Sequence, residues 1–164
     1  MVAYRVPARV LVVGLGRSGL AAARLAAAGG AEVWATDLRP AAELAPALAE
    51  LPRGSRTFLG GHPAECLEGV GLVVVSPGVA AESPLLEAAR RRGIALNAEI
   101  EFAWRHRPEA PLAAITGSNG KSTVTELVAE LLRAAGQAVA AGGNLGTAAS
   151  QLVLDGGWDS WVLE

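Results

Sequence analysis

The sequence feature that most constrains the fold is a valine-rich run followed by a glycine-rich loop and a run of helix formers. Residues 9–13 (RVLVV) have the composition of a strand buried on both faces. They are followed by GLGRSG at 14–19 and by alanine-rich residues 20–28, which favour a helix. A second apolar run, 32–36, ends at Asp37. This order predicts a βαβ unit and a parallel sheet.

The alternation of strands and helices continues to about residue 105. Ser83 and Pro84 are typical of a helix N-cap and first helical position. Further strands are predicted at 56–59, 71–75 and 94–96, and helices at 84–92 and at 98–105. Residues 41–51 are predicted to be a helix or a turn segment broken by Pro46. Residues 105–111 are polar and contain two prolines, which indicates an interdomain linker.

After this linker the pattern restarts. Strands are predicted at 112–116, 137–141 and 158–163, and helices at 122–135 and 147–154. The predicted fold class is therefore α/β: a Rossmann-like parallel-sheet domain over residues 1–106, then the start of a P-loop NTPase-like α/β domain over residues 107–164. Three strands cannot bury both faces of a sheet, so we expect the second domain to be incomplete.

Composition excludes several classes of partner. The net charge of −2, with acids and bases interspersed, does not favour binding to nucleic acid or to a membrane surface. The single cysteine, Cys66, rules out a disulfide framework within the chain and favours a reducing compartment. No apolar run approaches the length of a membrane span. These observations predict a cytoplasmic protein.

The first glycine loop matches G-x-G-x-x-G, with Gly14, Gly16 and Gly19. Its position between a strand and a helix is the context in which a diphosphate approaches a helix N-terminus. Asp37, 18 residues after Gly19, could accept hydrogen bonds from a ribose or a base. The residues alone leave open NAD, another nucleotide diphosphate, or a packing turn. Ser76-Pro77-Gly78, after a later strand, could complete the pocket.

The second glycine loop, TGSNGKST at 116–123, predicts ATP phosphate binding. Backbone amides cradle the phosphates, Lys121 supplies a positive charge and the Ser122 hydroxyl can bind Mg²⁺. Position 115 is Ile, so the loop is the shorter G-x-x-G-K-S variant. Lys121 is the single lysine among 14 basic residues. That count argues against the alternative, a chance turn with a solvated lysine.

Two further positions follow predicted strands of the second domain. Asn144, in the loop GGNLG, could orient a substrate or could be a turn residue. Glu164, after the last strand, could be a Mg²⁺ ligand or a solvated carboxylate. His62 and His106 lack metal-ligand spacing, and we assign no role to either.

Several of these motifs together resemble one family. VVGLGRSGLA at 12–21, SPGV at 76–79, ITGSNGKST at 115–123, GGNLG and the final VLE resemble the Mur ligases, and within them the D-glutamate-adding branch, of which Asn119 is typical. The resemblance implies an ATP- and Mg²⁺-dependent amide ligase of peptidoglycan precursor synthesis. In it, the carboxylate of UDP-N-acetylmuramoyl-L-alanine is phosphorylated and then attacked by the amine of D-glutamate.

The resemblance also assigns roles to individual residues, and it favours a UDP-sugar over NAD as the first ligand. Binding of the UDP-sugar is implied for Arg17, Ser18, Asp37, Arg39, Gly78 and Asn144. Binding of ATP is implied for Gly117, Ser118, Asn119, Gly120, Lys121, Ser122 and Thr123, with Lys121 catalytic. Mg²⁺ coordination is implied for Ser122 and Glu164.

The chain departs from the family in length. The D-glutamate site belongs to a third domain, and the family's carbamylated lysine, which binds a second Mg²⁺, has no counterpart because Lys121 is the only lysine. We therefore expect these 164 residues to be inactive alone, and the complete enzyme to be a monomer. The alternatives are a nicotinamide dehydrogenase, which leaves the lysine loop unexplained, and a non-enzymatic UDP-binding module.

Overall fold

Two parallel sheets organise the chain. The computed structural model describes residues 5–144 and 146–164. The first sheet has five strands in the order β3-β2-β1-β4-β5. Their bounds are β1 (Arg9–Val13), β2 (Glu32–Asp37), β3 (Arg56–Leu59), β4 (Leu72–Val75) and β5 (Ala95–Ala98). All neighbouring pairs are parallel, which confirms the predicted Rossmann-like α/β sheet.

Strand β1 lies at the centre of this sheet, and both of its faces are buried. Leu11 and Val13 pack into one apolar cluster, with the residues of the helix that follows β4. Val10 and Val12 pack into the other, with alanines of the first helix and with Phe102. A central strand covered on both faces has apolar side chains, which explains the run VLVV at 10–13.

Four helices cover the first sheet: α1 (Arg17–Ala28), α2 (Ala41–Glu50), α3 (Pro84–Arg91) and α4 (Glu99–His106). The N-cap prediction for α3 is confirmed, because Ser83 Oγ accepts a hydrogen bond from the Leu86 amide at 3.4 Å. A short 3₁₀ helix, Ala64–Leu67, was not predicted, because four residues are too few to show helical periodicity.

The predicted break at Pro46 is wrong. Pro46 lies inside α2, which is continuous from Ala41 to Glu50. Proline removes one backbone donor from the helix. The fully buried Leu44, packed against Leu15 and Leu20, anchors the helix to the sheet and offsets that loss. The predicted linker is also shorter than expected, because α4 extends to His106.

The second sheet has three parallel strands in the order β6-β8-β7. They are β6 (Leu112–Ala114), β7 (Val139–Gly142) and β8 (Ser160–Leu163), with helices α5 (Lys121–Ala134) and α6 (Ala149–Asp155) between them. Because β8 is the central strand, Glu164, the residue directly after it, lies between the loops that follow β6 and β7. This order places both loops and the carboxylate at one edge.

An apolar cluster joins the two sheets. Ala103 of α4 packs with Ala149 and Leu152 of α6 and with Leu163 of β8. The interface brings the C-terminal edges of the two sheets close to each other, which decides where the candidate site lies. Within residues 5–144 and 146–164, no helix is long and apolar enough to cross a membrane.

Candidate functional site

A cavity of about 690 Å³ opens at the C-terminal ends of β1, β2 and β4. It contains all six residues that the sequence predicted for a nucleotide-sugar, namely Arg17, Ser18, Asp37, Arg39, Gly78 and Asn144. Five of them come from the part of the chain that forms the first sheet and its helices. Asn144 comes from the loop after β7 of the second sheet. The cavity therefore lies between the two sheets, where ligands of open parallel sheets bind.

The first glycine loop lines this cavity, and three close contacts fix its shape. Gly14 has φ +88°, a left-handed conformation that glycine adopts without strain, and its amide donates to the Thr36 carbonyl at 2.8 Å. The Ser76 hydroxyl donates to the Gly14 carbonyl at 2.8 Å. Gly19 lies so close to Gly14 that an added Cβ would be 1.8 Å from the Gly14 oxygen. The loop thus directs the N-terminus of α1 into the cavity.

Asp37 connects the loop to the end of β2. Its carboxylate accepts the Leu15 amide at 2.8 Å, the Arg39 amide at 2.9 Å and the Arg39 guanidinium at 2.8 and 3.0 Å. These hydrogen bonds, chiefly that of the Arg39 side chain, lower the pKa of Asp37 from 3.8 to about 2. A buried, ionised carboxylate with a fixed geometry is therefore available at the cavity wall.

The depressed pKa predicts a pH dependence of stability. Because Asp37 is easier to protonate in the unfolded chain, its contribution to the free energy of unfolding is complete above about pH 4 and is lost between about pH 4 and 2. Urea titrations across this range should show a steeper loss for the parent chain than for Asp37→Asn. Equal slopes for the two proteins would show that the carboxylate is not held ionised.

The second glycine loop connects β6 to α5. Gly117 and Gly120 have positive φ values of +147° and +77°. Lys121 begins α5, and its Nζ donates to the Gly117 carbonyl at 2.9 Å across the loop. Ser118 and Asn119 are exposed at the loop's tip, and Thr123 is exposed on the first turn of α5. The loop has the form that cradles phosphate groups, and the Lys121 ammonium group lies against it.

Two oxygens next to this loop suit a divalent cation. Ser122 Oγ lies 3.4 Å from Glu164 Oε1, and Glu164 Oε2 is buried with no hydrogen-bond partner among the described residues. An unpaired, buried carboxylate oxygen beside a hydroxyl is the donor chemistry that Mg²⁺ prefers. The arrangement fits a Mg²⁺–ATP complex whose remaining ligands would be phosphate and water oxygens. Ser122 and Glu164 would hold the ion.

The loop after β7 lies between the first cavity and the pair formed by Ser122 and Glu164. The Gly143 amide donates to the Thr147 carbonyl at 3.0 Å, and the Asn144 amide donates to the Glu164 carbonyl at 3.4 Å. Leu145, part of the GGNLG motif, lies outside the described residues. A second cavity of about 500 Å³ shares Ser76, Pro77, Val79 and Asn144 with the first and extends to Glu164. Asn144 therefore borders both cavities.

Sequence reasoning missed two polar residues near these cavities. His62 lines the first cavity, and its Nδ1 lies 2.7 Å from the Thr36 hydroxyl. Burial lowers the pKa of His62, which favours the neutral ring. Glu99 is buried beside the second cavity. Neither had a recognisable sequence signal, since a lone histidine and an acidic residue at a helix start are both common.

The fold and the two glycine loops define the class: an α/β protein with a Rossmann-like sheet and a phosphate-loop sheet that share one crevice. Comparison with known families agrees. The family described as "Mur ligase MurD-like, N-terminal domain" matches residues 8–98, and the "Mur ligase middle domain" matches residues 115–155. The chain belongs to the Mur ligase family, in its MurD-like branch.

Curated relatives include the UDP-N-acetylmuramoylalanine–D-glutamate ligases of Anaeromyxobacter dehalogenans and Geobacillus kaustophilus. The first is 51% identical over 148 residues, which is 90% of this chain and 32% of the relative. The second is 41% identical over 156 residues, 94% of this chain and 34% of the relative. The chain thus spans about a third of the length of the curated relatives it matches.

Solved structures show the same fold. A pseudomurein peptide ligase type C from Methanothermus fervidus has a TM-score of 0.51 and 22% identity, covering 94% of this chain and 32% of that one. A UDP-N-acetylmuramate:L-alanyl-γ-D-glutamyl-meso-diaminopimelate ligase from Neisseria meningitides has a TM-score of 0.58 and 18% identity, with 96% and 52% covered.

Proposed function

We propose that this chain supplies the nucleotide-sugar site and the ATP phosphate loop of a UDP-N-acetylmuramoylalanine–D-glutamate ligase. Residues 1–106 would bind the UDP part of UDP-N-acetylmuramoyl-L-alanine, and residues 107–164 would begin the ATP-binding domain. The reaction would form an amide between the substrate's L-alanyl carboxylate and the amine of D-glutamate, with release of ADP and phosphate. We expect the protein to be cytoplasmic, as its single cysteine also indicates.

The observation that carries this proposal is that the two cavities adjoin, because they share the lining residues Ser76, Pro77, Val79 and Asn144. The first begins at the glycine loop of α1, and the second ends at Glu164, 3.4 Å from the P-loop residue Ser122. Asn144 belongs to the walls of both. A long substrate with a diphosphate at one end and a carboxylate at the other needs such a path. A dehydrogenase would have no use for a phosphate loop at its end.

In the first cavity, the residues divide by chemistry. Arg17 and Ser18, at the N-terminus of α1, would bind the diphosphate, since cations, hydroxyls and free helix amides all suit an anion. Asp37 and Arg39 would face the uridine. Gly78 is exposed and has no atom near its Cβ position, so the nucleotide can approach its backbone. Asn144 would contact the sugar-peptide portion.

At the other end, residues 117–123 would hold the ATP phosphates. Lys121 would exchange its contact with the Gly117 carbonyl for phosphate oxygens and stabilise charge as the phosphoryl group moves to the substrate carboxylate. Mg²⁺, held by Ser122 and Glu164, would neutralise phosphate charge when bound. D-glutamate would be bound by a further domain of the complete ligase.

A hybrid enzyme tests this function. The matched third of the Anaeromyxobacter dehalogenans ligase would be replaced by this chain and assayed for ADP release. We expect release that requires both UDP-N-acetylmuramoyl-L-alanine and D-glutamate, and that is lost in a matched hybrid carrying Lys121→Ala. A hybrid that binds UDP but releases no ADP with these substrates would contradict the proposal.

A further inference from the structure

Glu99 is an acidic residue buried at the junction of the two sheets. It is the first residue of α4 and is 1% exposed. Its Oε1 accepts a hydrogen bond from the Ser150 amide at 2.7 Å. Among the described residues no ion pair to Glu99 is formed. Its partner is therefore a backbone amide of α6, a helix that packs with the second sheet.

Burying a carboxylate at this junction costs free energy unless hydrogen bonds compensate for the lost water. Burial raises the pKa of Glu99, and hydrogen bonding to Ser150 opposes this shift. A helix start such as that of α6 can be capped by a serine or aspartate of its own loop. Instead Ala148 occupies the N-cap position and makes no side-chain hydrogen bond. The first turn of α6 thus depends on a residue of the first sheet.

The helix that Glu99 caps directly follows the loop that carries Asn144. One end of that loop is joined to β8, since the Glu164 amide donates to the Gly142 carbonyl at 3.1 Å. The other end runs into α6. A Cβ on Gly143 would lie 3.4 Å from Ile100 Cδ1, so the loop also rests on the residue after Glu99. The start of α4 therefore supports the Asn144 loop at two points.

We propose that Glu99 is a positioning residue for the ligase reaction: it fixes the start of α6 to the first sheet and so holds Asn144 at the border of the two cavities. This role rests on the proposed function, because it concerns the sugar-peptide end of the substrate. Glu99 lies beside the second cavity and acts through Asn144. It determines where that side chain meets a substrate bound by its UDP end.

Two ligands separate this role from a general structural one. Under the proposed function, UDP would occupy the first cavity alone, whereas UDP-N-acetylmuramoyl-L-alanine would extend past Asn144. In calorimetric titrations of the 164-residue chain, Glu99→Ala should weaken binding of the complete substrate about tenfold, since a lost charged hydrogen bond is of that order. Binding of UDP should stay within about twofold. Glu99→Gln, which retains an acceptor for the Ser150 amide, should recover part of the loss.

A double variant and a matched control complete the test. If Glu99 acts through Asn144, then Asn144→Ala should remove the same increment of affinity, and the double variant should lose little more than either single one. Glu101→Gln, on the same helix but exposed and paired with Arg105, should change neither affinity.

Three results would overturn the role. Glu99→Gln could weaken UDP and the complete substrate equally, which would indicate a structural effect on the whole chain. Glu99→Ala could leave both affinities unchanged, or the two losses could add fully in the double variant. If the parent chain bound neither ligand, the proposed function itself would fail, and that outcome is visible before any variant is made.

Discussion

Gly19→Ala is expected to lower the free energy of unfolding by about 3 kcal/mol or more. The new Cβ would lie 1.8 Å from the Gly14 carbonyl oxygen and 2.9 Å from Ser76 Oγ. The first of these is a backbone atom of the loop that connects β1 to α1, so relief requires the helix to move away from the sheet. Overpacking against backbone of this kind is among the largest effects that a single methyl group produces.

Gly16→Ala is the matched control in the same loop. No atom lies within 4 Å of its Cβ position, and its φ of −82° suits any residue. Its stability should therefore equal or slightly exceed that of the parent chain. Gly16 lines the first cavity, however, so the added methyl group should occupy the space needed by a diphosphate and weaken UDP binding.

Urea denaturation and UDP titration of both variants provide the measurement. The expected result is that Gly19→Ala loses stability and Gly16→Ala loses only binding. Equal stability of the two variants would contradict the close packing of α1 on the loop. Unchanged UDP affinity of Gly16→Ala would contradict the placement of the diphosphate.

Lys121→Ala is expected to weaken Mg²⁺–ATP binding by on the order of 100-fold, because it removes a charged hydrogen-bond donor from the phosphate cradle. The same change should not destabilise the protein. Lys121 begins α5, and a positive charge at a helix N-terminus opposes the helix dipole. A lysine retained there against the electrostatic preference of the helix is explained by an anionic ligand.

Two controls define the effect. Lys121→Arg keeps the charge but replaces a compact ammonium by a planar guanidinium, and should restore little affinity. Arg133→Ala, near the other end of the same helix, removes an exposed cation that pairs with Glu130 and should leave ATP binding unchanged. Titration with Mg²⁺–ATP measures all three variants. If Lys121→Ala bound ATP like the parent chain, the loop would not be a phosphate site.

The sequence was sufficient to predict the strands and the parallel first sheet, because buried parallel strands have a distinctive composition. Arg9–Val13 and Arg56–Leu59 were predicted with the bounds observed. It could not predict the order β6-β8-β7, which places Glu164 between two loops, because strand order depends on contacts far apart in the chain. The effect of Pro46 was misjudged because α2 is stabilised by the burial of Leu44, a tertiary contact that the local sequence does not show.

The candidate site was predictable where chemistry requires a special residue pattern. The six residues that the family resemblance implied for a nucleotide-sugar line one cavity, and their binding of such a ligand stays a prediction. The approach of Ser122 to Glu164 was expected only through the family resemblance, which implies one Mg²⁺ ion for both. The ion pair of Asp37 with Arg39 and the burial of Glu99 against α6 were not predictable. The contact of Glu99 with Ser150 joins residues 51 positions apart, and no local pattern indicates such a contact.

The most direct test of the central claim is a calorimetric titration of the 164-residue chain with UDP-N-acetylmuramoyl-L-alanine and, separately, with NAD. We expect saturable binding of the UDP-sugar that is weakened in Asp37→Ala, and no binding of NAD. Binding of NAD without binding of the UDP-sugar would contradict the claim, and would leave the phosphate loop around Lys121 without an explanation.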